Sequence, residues 1–283
     1  MAYISASNVP IYFDDTVNSN ALPGTADAFN RGVIASQVQL NYTPNIAPTR
    51  VVGKSASKES FNLAGPPNAS LSFSAYVGGT AEFDISDYTG VQTTGQGFRI
   101  GDDTNGISGS GAYLTSYSLT VSPYAPVLFQ ADFAIYNPLT TTSAGGKIAA
   151  ESADPLDDVT FGNFGHGVYS TFDKTNLSDV DIVESVTYSY SAQYLPKYTI
   201  GSYAVSGAEL ITAEHSFQIQ GDNIAALVPI TGSNPGALTL EIKNSTPSTL
   251  LTCTVDGRIT AENVSLTAGD LARGSVTIVQ PLV

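Results

Sequence analysis

The chain contains no tryptophan, one cysteine, one methionine and two histidines among its 283 residues. A single cysteine excludes an intrachain disulfide, and the alternating apolar run around Cys253 predicts a buried structural thiol. A catalytic triad, a zinc site or a Cys/His pair needs residues that are mostly missing, because His166 and His215 stand in unrelated contexts. The composition therefore argues against an enzyme, and we expect neither a cofactor nor a metal.

Charge is also scarce, and cations are the scarcer sign. Charged residues make up 13% of the chain, with 25 acidic against 11 basic residues and a net charge of −14. Such a surface repels phosphate, which argues against tight binding of DNA or RNA. No apolar run approaches the ~20 residues that cross a bilayer. Residues 1–7 lack the basic and apolar regions of a signal peptide, so we expect folding in the cytosol and no membrane partner.

The residues that are abundant favour strands and turns. The chain has 26 glycines, 15 prolines, 15 tyrosines and 12 phenylalanines, and 42% of its residues are hydrophobic. Aromatic and β-branched residues separated by turn formers are typical of hairpins. The predicted fold class is all-β with minor α content.

One stretch of the chain occurs twice. Five positions recur 148 residues later, from 34 against 182 to 53 against 201. The pairs are Ile34 and Ile182, Val38 and Val186, Tyr42 and Tyr190, Pro48 and Pro196, and Gly53 and Gly201. Weaker matches follow in the same order, among them Phe73 with Phe217 after 144 residues. This order predicts a tandem duplication, with a first domain at residues 1–145 and a second at residues 146–283.

Both copies alternate as half-buried strands do, with apolar and polar side chains on opposite faces. Exposed strands usually mix lysine, glutamate and threonine, whereas these polar faces contain no cation. The polar positions are Gln37, Gln39, Asn41, Ser70, Ser72 and Ser74 in the first copy and Ser185, Thr187, Ser189, Glu214, Ser216 and Gln218 in the second.

Several acidic patterns resemble sites without completing one. Residues 102–106 and 179–181 suggest calcium loops, but neither continues to a closing glutamate, and such sequences are ordinary turns. Asp157 and Asp158 could serve a glycosidase, but the chain has no tryptophan to stack on a sugar. The acidic stretch 151–184 is typical of a solvated loop.

Positive charge gathers in the connection after the first repeated strand. Arg50, Lys54 and Lys58 lie there, and Lys197 opens the corresponding connection of the second copy. Concentrated positive charge on an acidic protein often marks a contact with another copy. A solvated loop explains the same residues equally well.

The duplicated β unit, the Ser/Thr-lined strand faces, the leading Met-Ala-x-Ile-Ser-Ala and the missing catalytic residues together resemble a phage tail tube protein whose tail-tube domain is duplicated. The resemblance implies β-sandwich domains with extended hairpins that join neighbours into a barrel around a channel. It implies stacked rings of three copies with pseudo-sixfold symmetry. The twelve polar-face residues would line the channel, and Arg50, Lys54, Lys58 and Lys197 would contact adjacent copies or rings.

The same resemblance implies the partners and the location. The chain would bind itself, a tape-measure protein, a tail terminator and baseplate proteins in a virion tail, while DNA passes without specific binding. The other readings are a virion decoration or neck/connector protein, a carbohydrate-binding β-sandwich module, and a β-sandwich hydrolase. The missing tryptophan and signal peptide count against the carbohydrate-binding module, and the sparse histidine and cysteine count against the hydrolase.

Overall fold

The computed structural model describes residues 10–14, 29–49, 60–63, 65–78, 83, 85, 88–89, 95–101, 106–142, 164–175, 177, 182–202, 204–222, 234–246, 248–265 and 273–283. These residues form antiparallel strands and turns, and no α-helix occurs among them. The predicted all-β fold is confirmed. The predicted domain boundary at 145/146 lies outside the described residues.

The described residues form sixteen strands, nine in the first half of the chain and seven in the second. In the first half they are β1 (Pro10–Asp14), β2 (Phe29–Thr43), β3 (Ile46–Thr49), β4 (Ser60–Leu63), β5 (Asn68–Tyr76), β6 (Gln96–Gly101), β7 (Gly106–Val121), β8 (Leu128–Ile135) and β9 (Thr140–Thr142). In the second half they are β10 (Thr171–Asp173), β11 (Ile182–Tyr198), β12 (Val205–Asp222), β13 (Leu238–Lys243), β14 (Thr249–Val255), β15 (Arg258–Ser265) and β16 (Arg273–Pro281).

The largest feature is an eleven-stranded sheet that includes strands from both halves. Within it, β2, β5, β8, β7, β11, β12, β16 and β15 lie side by side in that order, and every neighbouring pair is antiparallel. We call this run of strands the main sheet. Its alternating sequences place most apolar side chains on one face, which fixes the side that packs against the core; Leu128 and Val279 are exceptions on the other face.

The first half closes its share of the main sheet into a barrel. The early residues of β7 pair with β6, β6 pairs with β1, and β1 pairs with β2. Closure leaves the ring of β1, β2, β5, β8, β7 and β6 without a free edge at those positions. The interior is aromatic: the rings of Phe13 and Phe133 lie 5.2 Å apart, and those of Phe83 and Tyr88 lie 4.5 Å apart.

The second half forms a sandwich instead. A three-stranded sheet of β10, β13 and β14 covers the apolar face of β12 and its neighbours. Phe172 meets Phe217 edge to face across the two layers, with ring centroids 5.7 Å apart. Cys253 lies in this core and is 3% exposed, which confirms its predicted burial.

Strand pairing recurs between the halves. The order β2, β5, β8, β7 matches β11, β12, β16, β15, and the order β1, β6, β7 matches β10, β13, β14. The single strand β7 serves both layers of the first half. The second half divides that role between β14 and β15, which Asp256 and Gly257 separate.

Irregularities in the ladders recur as well. The pairing of β2 slips between Ala35 and Gln37, and that of β11 slips between Val183 and Ser185, which is 148 residues later (183 against 35). The other recurring slip lies in β7 between Leu114 and Ser116. Its counterpart in β15, between Ile259 and Ala261, follows after 145 residues (259 against 114). A bulge interrupts the regular ladder at one position, so bulges at matching positions are stronger evidence of similarity between the halves than a shared strand order.

One sequence match is displaced in the structure. Leu71 lies opposite Leu40, and Phe217 lies opposite Tyr188, which follows Leu40 by 148 residues. Phe217 therefore corresponds to Leu71 rather than to Phe73, a displacement of two residues. Because strand faces alternate with a period of two, the displacement leaves every side chain on its predicted face.

Candidate functional site

The predicted polar residues of the first half lie opposite one another on β2 and β5. The cross-strand pairs are Gln37 with Ser74, Gln39 with Ser72, and Asn41 with Ser70. The side chains on β2 are exposed, and those on β5 are partly exposed. The apolar positions between them face the other way, although Tyr42 at the end of β2 is 41% exposed rather than packed in the core.

The predicted polar residues of the second half are arranged in the same way on β11 and β12. Thr187 pairs with Gln218 and Ser189 pairs with Ser216. Ser185 pairs with Gln220, and Glu214 pairs with Ser191. None of these side chains is buried. Each predicted group therefore lies together on one face of its own hairpin.

The structure joins the two groups through residues that sequence reasoning missed. Polar side chains of β8 and β7 lie between them in the main sheet, and polar side chains of β16 extend the face beyond β12. One cross-strand row contains Gln39, Ser72, Asp132, Ser116, Ser191 and Glu214; the next contains Gln37, Ser74, Gln130, Ser118, Ser189 and Ser216; a third contains Thr120, Thr187, Gln218 and Thr277.

The missed residues had a visible signal. Ser116-Tyr-Ser-Leu-Thr120 and Gln130-Ala-Asp132 alternate polar and apolar residues as the predicted strands do. Their buried counterparts Tyr117, Leu119 and Ala131 confirm the alternation.

These rows form a hydrated surface, which we call the polar face. None of the residues in the three rows is lysine or arginine, and their only charged members are Asp132 and Glu214. Beyond β12 the second row continues through Val279 to the exposed Arg258 of β15, which places one cation at the edge of the same face. Hydroxyl and amide groups bond across the strands: the Oγ1 atoms of Thr120 and Thr187 lie 3.0 Å apart, and Asn41 Nδ2 donates to Ser70 Oγ at 3.4 Å. Serine and threonine hydroxyls are weak nucleophiles unless a base activates them, and these rows contain no histidine and no adjacent pair of carboxylates.

The polar face is continuous because β7 pairs with β11. We call this strand pair the joint. In the joint Thr187 lies opposite Thr120, Ser189 opposite Ser118, and Ser191 opposite Ser116. It connects the last main-sheet strand of the first half to the first main-sheet strand of the second half. By the correspondences above, β7 matches β15 and β11 matches β2.

The two strands that match the joint are also the two ends of the main sheet. β1 covers the outer edge of β2 only at residues 29–34, and no described strand pairs with that edge at residues 38–43. β15 pairs only with β16 among the strands that the structure describes. An uncovered strand edge offers backbone N–H and C=O groups to another strand.

The hairpin of β11 and β12 extends beyond the other strands of the main sheet and is fastened to the first half. Asn137 Oδ1 accepts a hydrogen bond from the backbone N–H of Val205 at 2.6 Å. The Tyr136 hydroxyl donates to the Tyr194 carbonyl, and the Tyr198 hydroxyl donates to the Tyr136 carbonyl, each at 3.3 Å. Burial raises the pKa of Tyr136 and of Tyr198, so both phenols stay protonated at neutral pH.

Of the four predicted contact cations, only Lys197 lies among the described residues; Arg50, Lys54 and Lys58 lie outside them. Lys197 stands near the tip of the hairpin, and its Nζ lies 2.7 Å from Glu209 Oε2. The hydrogen bond from Lys197 lowers the pKa of Glu209. Both side chains are more than half exposed, so the pair adds little to stability.

The two histidines hold structural positions. His215 is 6% exposed, its Nε2 donates to Gln280 Oε1 at 2.7 Å, and its Nδ1 accepts from the Tyr188 hydroxyl at 3.2 Å. Burial lowers the pKa of His215, and the bond to Gln280 partly opposes that shift. His166 Nδ1 accepts from the Val168 backbone at 3.3 Å within its own turn.

The acidic patterns contribute no described site. Asp102, Asp157, Asp158, Asp179 and Asp181 lie outside the described residues. Within the described ranges, no group of three or more His, Cys, Asp or Glu side chains could hold a metal ion. In those same ranges no helix is long and apolar enough to span a membrane.

The polar face, the joint and the two uncovered edges are therefore the features on which a function can be argued. Comparison of the chain with protein-family models finds no match. Comparison with curated proteins finds none either.

Proposed function

We propose that this chain is a structural virion protein that assembles into stacked rings forming a phage tail tube, with the polar face lining a channel for DNA. We infer that its two halves derive from one duplicated β unit. Shared strand order and two shared bulges support the duplication. The joint carries the assembly proposal, because it is an example, inside one chain, of the contact that two chains would make.

The correspondences predict how a second copy would pair. The joint sets β11 residues 186–191 against β7 residues 116–121. Because β2 corresponds to β11 and β15 corresponds to β7, the equivalent contact between two chains pairs β2 of one copy with β15 of the next. The intermolecular pairs would be Gln39 with Ser265, Asn41 with Asn263, and Thr43 with Ala261. No strand among the described residues covers either edge at these positions, and the pairing would continue the polar face from copy to copy.

The contact is heterologous, because different edges of the two copies meet. Heterologous contacts build a closed ring when the rotation per copy divides a full turn. Three copies would supply about 24 strands. At a spacing of about 4.8 Å and a tilt of about 40°, the backbone barrel is about 48 Å across, which leaves room for duplex DNA.

The chemistry of the polar face supports a conduit rather than a binding surface. Lysine and arginine hold nucleic acid by neutralising phosphates and releasing counterions. A wall of serine, threonine, asparagine and glutamine with two carboxylates and a single cation at its edge, Arg258, offers little such neutralisation. Tape-measure, terminator and baseplate proteins remain the expected partners of such a tube.

A disulfide across the proposed contact tests it. Residues directly opposite each other in antiparallel strands have Cα atoms about 4.5–5.5 Å apart, which suits a disulfide. The double variant Asn41→Cys, Asn263→Cys should form covalent rings under mild oxidation, seen as trimers on non-reducing gels. The control Gln37→Cys, Asn263→Cys lies four residues out of register and should not cross-link.

Electron microscopy of the same samples separates the possible failures. Rings without the Asn41 cross-link would show that the register is wrong. Protein that stays monomeric at high concentration, with no ring in any particle, would refute the tube and favour a decoration or carbohydrate-binding role. The buried Cys253 leaves little background reactivity.

A further inference from the structure

A pocket of about 230 Å³ opens at the end of the main sheet where β11 begins. The end of β7, residues 167–174 and the start of β11 form its walls. Val121, Phe172, Val183 and Leu240 supply apolar lining, and Lys174 and Glu184 add one charge of each sign. For scale, an apolar cavity of about 150 Å³ can hold a benzene molecule.

The opposite end of the same strand carries an exposed apolar knob. The chain turns at residues 199–202, where the Ser202 N–H donates to the Thr199 carbonyl at 3.2 Å and Gly201 has φ +91°. A positive φ at the third turn residue is typical of a type II turn, which leaves Ile200 at the apex. Ile200 is fully exposed, and we call its side chain the knob. Further down the same hairpin, Leu195 and Ile211 are 55% and 45% exposed.

The knob is held in place rather than loose. The backbone bond from Val205 to Asn137 and the tyrosine contacts fasten the hairpin just below its tip. A preorganised apolar group loses less freedom on binding than a flexible one. Its exposure in the single chain therefore points to a partner surface.

We propose that the hairpin tip of one copy inserts Ile200 into the β7/β11 pocket of the next copy along the tube. This inference rests on the proposed ring assembly and names the contact between rings. Knob and pocket lie at opposite ends of β11, roughly 50 Å apart for seventeen residues of strand. A copy displaced along the strand direction brings one to the other, and repetition builds an open stack.

Charge at the two surfaces suits the same occupant. Lys197 and Glu209 flank the knob, and Lys174 and Glu184 line the pocket. Lys197 and Glu209 already form an ion pair, so the seated tip would bring that pair beside one charge of each sign and leave the contact with no excess charge. The solvated charged residues at the rim would fix the orientation of the tip, while burial of Ile200 in the pocket would supply most of the binding free energy.

The test compares three variants by sedimentation and electron microscopy. Ile200→Ser removes the knob, and Ser122→Tyr fills the pocket from its lining. Val283→Ser removes an apolar side chain that is 66% exposed and lies outside both surfaces. The first two should still form single rings, but the protein concentration needed for stacking should rise at least tenfold. The Val283 variant should stack like the wild-type protein.

The possible results distinguish the proposed contact between rings from the formation of the ring itself. Single rings of both test variants that fail to stack support the contact and show that the variants fold. Normal stacking of either variant overturns the contact and leaves the ring proposal intact. If the wild-type protein forms no ring, the proposed function itself fails. A cross-link between Ile200→Cys and Ser122→Cys should join one ring to the next, and linkage within a ring would overturn the assignment.

Discussion

Replacing Gly111 by alanine tests how the first half holds the β11–β12 hairpin. Gly111 has φ +67° in the middle of β7, a conformation that residues with a Cβ rarely adopt. A Cβ there would lie 2.8 Å from Asn137 Nδ2 and 3.1 Å from Val205 Cγ1. Asn137 binds both Ser110 and Val205, so the methyl group would push directly on the hairpin's anchor.

The cost can be worked from these contacts. A left-handed backbone costs an L-residue about 1–2 kcal/mol. Displacing Asn137 weakens two hydrogen bonds worth about 1 kcal/mol each. The lower chain entropy of alanine in the unfolded state returns about 0.5 kcal/mol. We therefore expect Gly111→Ala to lower the free energy of unfolding by about 2–3 kcal/mol.

Gly201→Ala is the matched control. Gly201 also has positive φ, at +91°, but nothing lies within 4 Å of a Cβ built there. It should therefore lose only the backbone term, about 1 kcal/mol after the entropy gain. Urea unfolding of dilute protein measures both variants, and hydrogen exchange at the Val205 amide reports on the anchor. Equal losses, or unchanged exchange at Val205, would refute this account.

Three further results are expected. Protein stability should fall as the pH drops below about 6.5, by up to about 1.4 kcal/mol per pH unit, because burial lowers the pKa of His215 while the unfolded histidine still binds its proton; His215→Gln should flatten that slope in pH-dependent unfolding. Gln39→Lys with Thr187→Lys should leave assembly intact but make purified tubes retain duplex DNA in a salt-dependent way and slow genome delivery. Phe217→Ala should lower the free energy of unfolding by about 3–5 kcal/mol, since the ring is fully buried between two layers.

Each of these has a contrary outcome. A stability curve for the wild-type protein that stays flat between pH 6.5 and pH 5 would mean that His215 is not held neutral in the native state. DNA passing the double lysine variant as fast as the wild-type protein would move those side chains off the channel wall. A loss below about 1 kcal/mol for Phe217→Ala would mean that the three-stranded sheet does not cover the ring as described.

Local alternation made the faces predictable. Gln37, Gln39 and Asn41 alternate with apolar neighbours, and that period of two assigns each side chain to a face whatever the partner strand is. The same rule placed Thr187 and Ser189 correctly on the second hairpin. It also predicted the burial of Cys253.

Pairing register was harder to predict. The serines at 70, 72 and 74 repeat every two residues, so a strand moved by two positions presents the same pattern. Sequence comparison therefore matched Phe217 to Phe73, whereas the ladders match it to Leu71. Side-chain alternation carries no information that distinguishes these two registers.

What the sequence determined by itself is the local order of this protein: its all-β class, the two faces of each repeated strand and the near absence of cations from one of them. Only the tertiary structure decided that β7 pairs with β11, which merges the two polar faces into one and leaves β2 and β15 as its edges. The physical reason is distance along the chain. Alternation depends on neighbouring residues, whereas the joint brings Thr120 opposite Thr187 through backbone hydrogen bonds that any residue except proline can make.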